Sequence, residues 1–170
     1  MKRQIRRGTF ETNSSSTHAI CISQMSIDEN DLPAHIRFDH GEFGWEFEIY
    51  EDVPHKASYL YQAIWDVYYG DVNARDDKLK LLSSTLSRYG IECEFEEVDE
   101  YNADVWAEGY IDHGDEAEEF VEAIFESEGR LLRYLFGKSK VITGSDNGDA
   151  FGDYMDSHDF SDYEVFHKGN

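Results

Sequence analysis

Two alternations of apolar and acidic side chains dominate the middle of the chain. Phe43, Trp45, Phe47 and Ile49 alternate with Glu42, Glu46 and Glu48, and further along Ile91, Cys93 and Phe95 alternate with Glu92, Glu94 and Glu96. A period of two puts each apolar set on one face of a strand and each glutamate set on the other. The pattern therefore predicts a strand from Phe43 to Tyr50 and a second from 91 to 96, both with a buried back and an acidic front. Shorter strands are predicted at 17–22, 35–39 and 139–143, with Val105 to Asp112 as a further extended element.

Helical spacing takes over between these runs. Leu60, Ile64, Val67 and Tyr68, widened by Tyr61 and Trp65, form an apolar stripe that predicts a core helix over 57–69, ended by Gly70. Leu79, Leu82 and Leu86 predict a second helix over 75–89, with Gly90 as its stop. Residues 115–127 read as an amphipathic helix with Ala117, Phe120, Val121 and Ile124 inside, and 130–136 as a short helix closed by Gly137. Strands, then paired helices, then strands and helices again predict an α+β fold: one compact domain over 1–170, mainly antiparallel sheet packed with about four helices. The Gly- and Asp-rich stretch 144–170 reads as a weakly specified acidic tail. With only two prolines and no internal repeat, no linker is expected.

Charge changes what this fold is expected to do. The 170 residues carry 37 Asp and Glu against 15 Lys and Arg, a formal net charge of −22. Direct binding to nucleic acid or to an anionic membrane through a broad basic face is excluded as an expectation, because phosphate binding needs clustered cations. An aromatic share of 15% and a hydrophobic share of 40% argue against disorder. The basic opening residues are followed by no apolar stretch of the kind a signal peptide needs, and no run approaches a membrane span, so a cytoplasmic protein is expected. Cys21 and Cys93 show no CxxC or Cys-His spacing and read as reduced thiols in apolar segments.

The charge is unevenly placed. Sixteen carboxylates and no Lys or Arg occupy residues 89–129, and seven carboxylates and no Lys or Arg occupy 141–167. Solubility alone asks only for a net charge of magnitude roughly 2 to 8. Self-repulsion on this scale opposes compaction, which suggests a use for it, although an acid-rich host or saline habitat would produce the same excess. Two glutamate-bearing strands side by side would form a lattice of carboxylates about 4.8 Å apart between strands. A Lys- and Arg-lined groove that holds nucleic acid would attract such a surface by long-range steering. The expected partner is thus a basic nucleic-acid-binding protein such as a CRISPR effector or a restriction enzyme. The expected contact residues are Glu92, Glu94, Glu96, Glu97, Asp99 and Glu100, with Glu118, Glu119 and Glu122 on the following helix. In composition the chain resembles the small acidic inhibitors that phages and mobile elements direct against those enzymes. The other reading of the same runs is a solvated acidic face.

A second unusual segment lies near the start, where five of the six residues Thr12, Asn13, Ser14, Ser15, Ser16 and Thr17 bear hydroxyls and His18 follows. With Arg6 and Arg7 upstream it is a cationic, donor-rich loop that could hold a phosphate. The string Arg6-Arg7, Phe10-Glu11-Thr12-Asn13-Ser14-Ser15-Ser16-Thr17-His18 resembles the opening of functionally uncharacterised small phage and bacterial proteins that begin R-R-x-x-F-E-T-N-S-S-S-T-H. That resemblance covers less than a tenth of the chain and implies a phage or mobile-element setting without an activity. In the alternative, enzymatic reading, His18 serves Ser15 or Ser16 as a general base, with Asp112 or His113 completing the site. The structural reading is a hydrogen-bonded turn fixing the first strand, with His18 satisfied in a sheet. No Walker loop, G-x-S-x-G, H-E-x-x-H or zinc pattern is present, so no cofactor or metal is expected. His35, Asp39 and His40 read as surface-loop residues.

Overall fold

The computed structural model describes residues 16–97, 109–145 and 149–168. The chain is α+β, with a four-stranded antiparallel sheet in the order β4-β7-β1-β8 and two small parallel pairs, β2 with β5 and β3 with β6. The strands are β1 (Ser16–Ser23), β2 (His35–Phe38), β3 (Glu42–Phe43), β4 (Glu48–Tyr50), β5 (Glu92–Phe95), β6 (Tyr110–Ile111), β7 (Lys140–Ser145) and β8 (Tyr163–Lys168). The helices are α1 (Val53–Val67), α2 (Val72–Ser87), α3 (Glu118–Ile124), α4 (Glu128–Phe136) and α5 (Asp149–Ser157).

Strand β1 is covered on both faces. Ile20 and Ile22 enter the main core with α1 residues Leu60 and Ile64, while Ala19 and Cys21 point the other way, into a smaller core with Ile142, Phe151, Tyr154 and Met155. Period two thus assigns alternate residues of one strand to two cores. Helix α1 is the central element, with Ala57, Tyr59, Leu60, Ala63 and Ile64 fully buried. Its start is fixed by Asp52, whose side chain accepts from the His55 amide, and by Pro54 in the first turn. Asp71 and Ser127 cap α2 and α4 in the same way.

The predicted strand from Phe43 to Tyr50 is broken into β3 and β4. Trp45 is 59% exposed, and Phe47 and Ile49 are also open to solvent, so the expected buried face does not form. The reason lies in the backbone. The carbonyl of Gly44 accepts from the His18 ring and that of Glu46 from the Thr143 hydroxyl at 2.6 Å. Side chains of β1 and β7 take carbonyls that a continuous strand would need for its ladder.

Two further expectations change. The glutamate-bearing strands are not neighbours: β4 pairs with β7, and β5 runs parallel to β2 with Ile36 opposite Cys93 and Phe38 opposite Phe95. The two-strand carboxylate lattice is therefore absent. Residues 149–168, read as a weakly specified tail, contribute α5 and β8. The latter pairs with β1 from His18↔Lys168 to Ser23↔Tyr163, and its Phe166 enters the main core. The predicted helix over 115–127 is shorter, a 3-10 turn at Gly114–Ala117 leading into α3.

Candidate functional site

His18, on β1, is fully buried with both ring nitrogens engaged. Nε2 lies 2.9 Å from the Gly44 carbonyl oxygen and Nδ1 lies 2.9 Å from the Tyr59 hydroxyl. A carbonyl can only accept, so Nε2 carries the proton and Nδ1 accepts from Tyr59. Burial, reinforced by the charge on Lys168, lowers the His18 pKa from 6.5 to about 4 against the opposing pull of the Gly44 bond and Asp112. The ring is neutral at pH 7.

Two positions earlier and on the same face, Ser16 donates its hydroxyl to the Asp112 carbonyl at 3.0 Å. The Lys168 ammonium, itself fully buried, donates to the Ser16 carbonyl at 3.2 Å and to its hydroxyl oxygen. Of the residues grouped by the enzymatic reading, Ser16 meets the main-chain carbonyl of Asp112, while His18 bonds to Tyr59 and Gly44 instead. Their chemistry is that of a lock. The lone pair a general base needs is held by Tyr59, and the hydroxyl that would attack is held between Lys168 and Asp112. Buried polar groups satisfied on all sides fix strand order and register. His113 lines a separate cleft. Arg6, Arg7, Thr12, Asn13, Ser14 and Ser15 lie outside the described residues. Thr17 is half-buried on the opposite face of β1 from His18.

The separate cleft, of about 340 Å³, opens between α1 and β6. His40, Gln62, Trp65, Asp66, Tyr110 and His113 are among its walls. Gln62 is buried and bridges two neighbours, donating its amide nitrogen to Asp66 Oδ1 at 2.9 Å and presenting its oxygen to His40 Nδ1 at 2.7 Å. Asp66 Oδ2 accepts the Ile111 amide at 3.0 Å, tying β6 to α1. Gly114 sits so close to Asp66 that a Cβ there would overlap its carboxylate, and His113 just before it adopts the left-handed backbone, φ 55°. His40, read from sequence as a loop residue, is thus half-buried in a polar chain. The sequence signal for this cleft was Gln62, a polar residue four positions before Asp66 on a core helix. Among the described residues, no group of three His, Cys, Asp or Glu side chains forms a metal site.

The predicted contact carboxylates divide into separate groups. On β5 and just after it, Glu94 meets Arg37 at 2.5 Å and His35 at 3.2 Å, and Glu96 accepts the His40 amide at 2.7 Å, while Glu92 and Glu97 are exposed. On α3, Glu118 and Glu119 are exposed, and Glu122 is held by Lys78 at 2.8 Å and by the Tyr68 hydroxyl. Lys78 comes first in holding the Glu122 carboxyl below its ordinary range. Strand β5 packs on β2 and α2, whereas α3 packs on α1, α4 and β8. Asp99 and Glu100 lie outside the described residues. A further acidic row, absent from the expected contacts, is formed by Asp149, Asp153 and Asp156, all exposed on α5 at helical spacing.

Several of the described cations are turned inward or spent locally. Lys56 and Lys168 are buried, and Arg75 stacks 3.7 Å over the Trp65 ring. Lys140 meets Glu51 at 2.9 Å, Arg88 meets Glu128 at 2.6 Å, and Arg130 bridges Glu126 and Glu164. Compared with protein-family models, curated proteins and solved structures, the chain matches none. No helix among the described residues is long and apolar enough to cross a membrane.

Proposed function

We propose that this protein is an acidic binding protein that occupies a basic nucleic-acid-binding site on a partner and inhibits it, in the cytoplasm of a bacterial host. The partner class is a protein with a Lys- and Arg-lined groove, such as a CRISPR effector or a restriction enzyme. One observation supports this reading above the others: the cations named above are buried or tied to neighbouring carboxylates, while Glu92, Glu97, Glu118, Glu119, Asp149, Asp153 and Asp156 face solvent. The field outside the molecule is therefore that of the unpaired carboxylates, and it is spread over helices and strand ends rather than over the two-strand lattice expected from the sequence. Such a field accelerates encounter with a basic groove and weakens steeply with salt.

The test is capture of partners from bacterial lysate on the immobilised protein at low and high salt, followed by competition with duplex DNA. Under this reading a nucleic-acid-handling protein is retained at low salt, released at high salt, and displaced by the duplex. Retention that ignores both salt and duplex contradicts it.

A further inference from the structure

We infer that the cleft between α1 and β6 is a binding site for a small uncharged planar heterocycle, a nucleobase or nucleoside. This goes beyond the acidic-surface reading and rests on different residues. The argument begins at Asp66. Its carboxylate can only accept, so the Gln62 group 2.9 Å from Oδ1 is the amide NH2 and the other end of Gln62 is its carbonyl oxygen. That oxygen can only accept, so His40 Nδ1, 2.7 Å away, must carry a proton. In the neutral ring Nε2 is then a bare acceptor. It is shielded from solvent and has no hydrogen-bond partner.

Trp65 supplies the complementary group. Its indole N–H, which can only donate, is also shielded and also unpartnered, and its ring lies edge-on to His40 with centroids 5.2 Å apart. Leaving either group unsatisfied costs about as much as a lost hydrogen bond. His40 and Trp65 both line the cleft, so after a small rotation of the two side chains one orphan acceptor and one orphan donor are met by a ligand that presents a donor and an acceptor along one edge, as a base does. Aromatic Tyr110 stands exposed at the same cleft and offers a face for stacking.

Size and charge narrow the class. A cavity of about 340 Å³ lies at the small end of the roughly 300–1,000 Å³ typical of ligand pockets. It suits one base or nucleoside better than a dinucleotide or peptide. Asp66 in its wall and a net charge of −22 disfavour a phosphate on the ligand.

The test is titration of the full chain with adenine, adenosine, uridine and adenosine monophosphate, read by calorimetry and by tryptophan fluorescence. The expected result is saturable one-to-one binding of a base or nucleoside, with the monophosphate about tenfold weaker than adenosine at low salt. His40→Phe, which keeps ring volume and removes the acceptor, should weaken binding about tenfold. Tyr110→Ala, at an exposed position, should weaken it about fivefold with the fold intact by circular dichroism, and it decides the matter if His40→Phe does not fold. No saturable binding of any of the four probes, tighter binding of the monophosphate than of adenosine, or equal binding by wild type and Tyr110→Ala would overturn the inference. A negative result here leaves the salt-dependent capture of a protein partner untouched, because neither His40 nor Tyr110 contributes to the acidic surface.

Discussion

The Tyr59 hydroxyl donates to His18 Nδ1 over 2.9 Å, a bond that joins α1 to the central strand across 41 positions of the chain. With the Gly44 carbonyl on the other ring nitrogen, it settles the tautomer and takes from His18 the basicity that an enzymatic role would require. Removing the hydroxyl leaves a buried imidazole nitrogen unpaired. Tyr59→Phe should therefore destabilise the fold by about 1–3 kcal/mol, measured by urea unfolding.

The same burial makes stability depend on pH. The unfolded ring protonates near 6.5 and the folded one only near 4, so between these values the unfolded chain binds more protons. The His18 contribution is complete above pH 6.5 and is lost as pH falls toward 4, amounting to about 3 kcal/mol for the whole window. His18→Gln cannot titrate. The difference in unfolding free energy between wild type and His18→Gln should shift across pH 6.5–4 in this direction, and a constant difference contradicts the depressed ring.

Burial also pushes the Cys21 and Cys93 thiols up, to about 12 and about 11, with Lys140 and Ser83 respectively opposing the shift. Thiolate is the reactive form. The native protein should react negligibly with Ellman's reagent at pH 8 and release two equivalents of chromophore in denaturant. Prompt reaction of Cys21 in the native state would contradict its fully buried position behind α5.

Gly114 makes the close approach that holds the 3-10 turn against Asp66. Gly114→Ala should cost about 1–3 kcal/mol by overpacking, seen in urea unfolding. Because Asp66 also orders Gln62 and His40, the variant should in addition weaken nucleoside binding. Gly70→Ala, where a Cβ meets nothing within 4 Å, serves as the control for adding a methyl group.

How far the sequence reached follows from what each segment bonds to. Helices α1 and α2 and strands β1, β2, β5 and β7 were legible because their apolar spacing matches their burial. The alternation at 43–50 misled because its carbonyls are claimed by His18 and Thr143, partners 26 and 97 positions away that no local pattern displays. Strand β8 was hidden for a related reason. Tyr163, Val165 and Phe166 acquire a place only once β1 is present to pair with them. At the hydroxyl-rich segment, the reading of His18 as satisfied within a sheet was legible, while its partner Tyr59 and the buried Lys168 beside Ser16 were not. The cleft was the least legible part. His40 joins Gln62 and Asp66 through a chain of hydrogen bonds whose direction emerges only when all three are in position.

The central claim is that unpaired carboxylates hold a basic partner. It is tested most directly by equilibrium binding of the captured partner to wild type and to a variant carrying Glu92→Gln, Glu97→Gln, Glu118→Gln and Glu119→Gln, across a range of salt. At about 0.5 kcal/mol per carboxylate, the variant should lose about 2 kcal/mol, roughly thirtyfold in Kd at low salt, with a shallower salt dependence. Equal affinity of the two proteins at every salt concentration would contradict the claim.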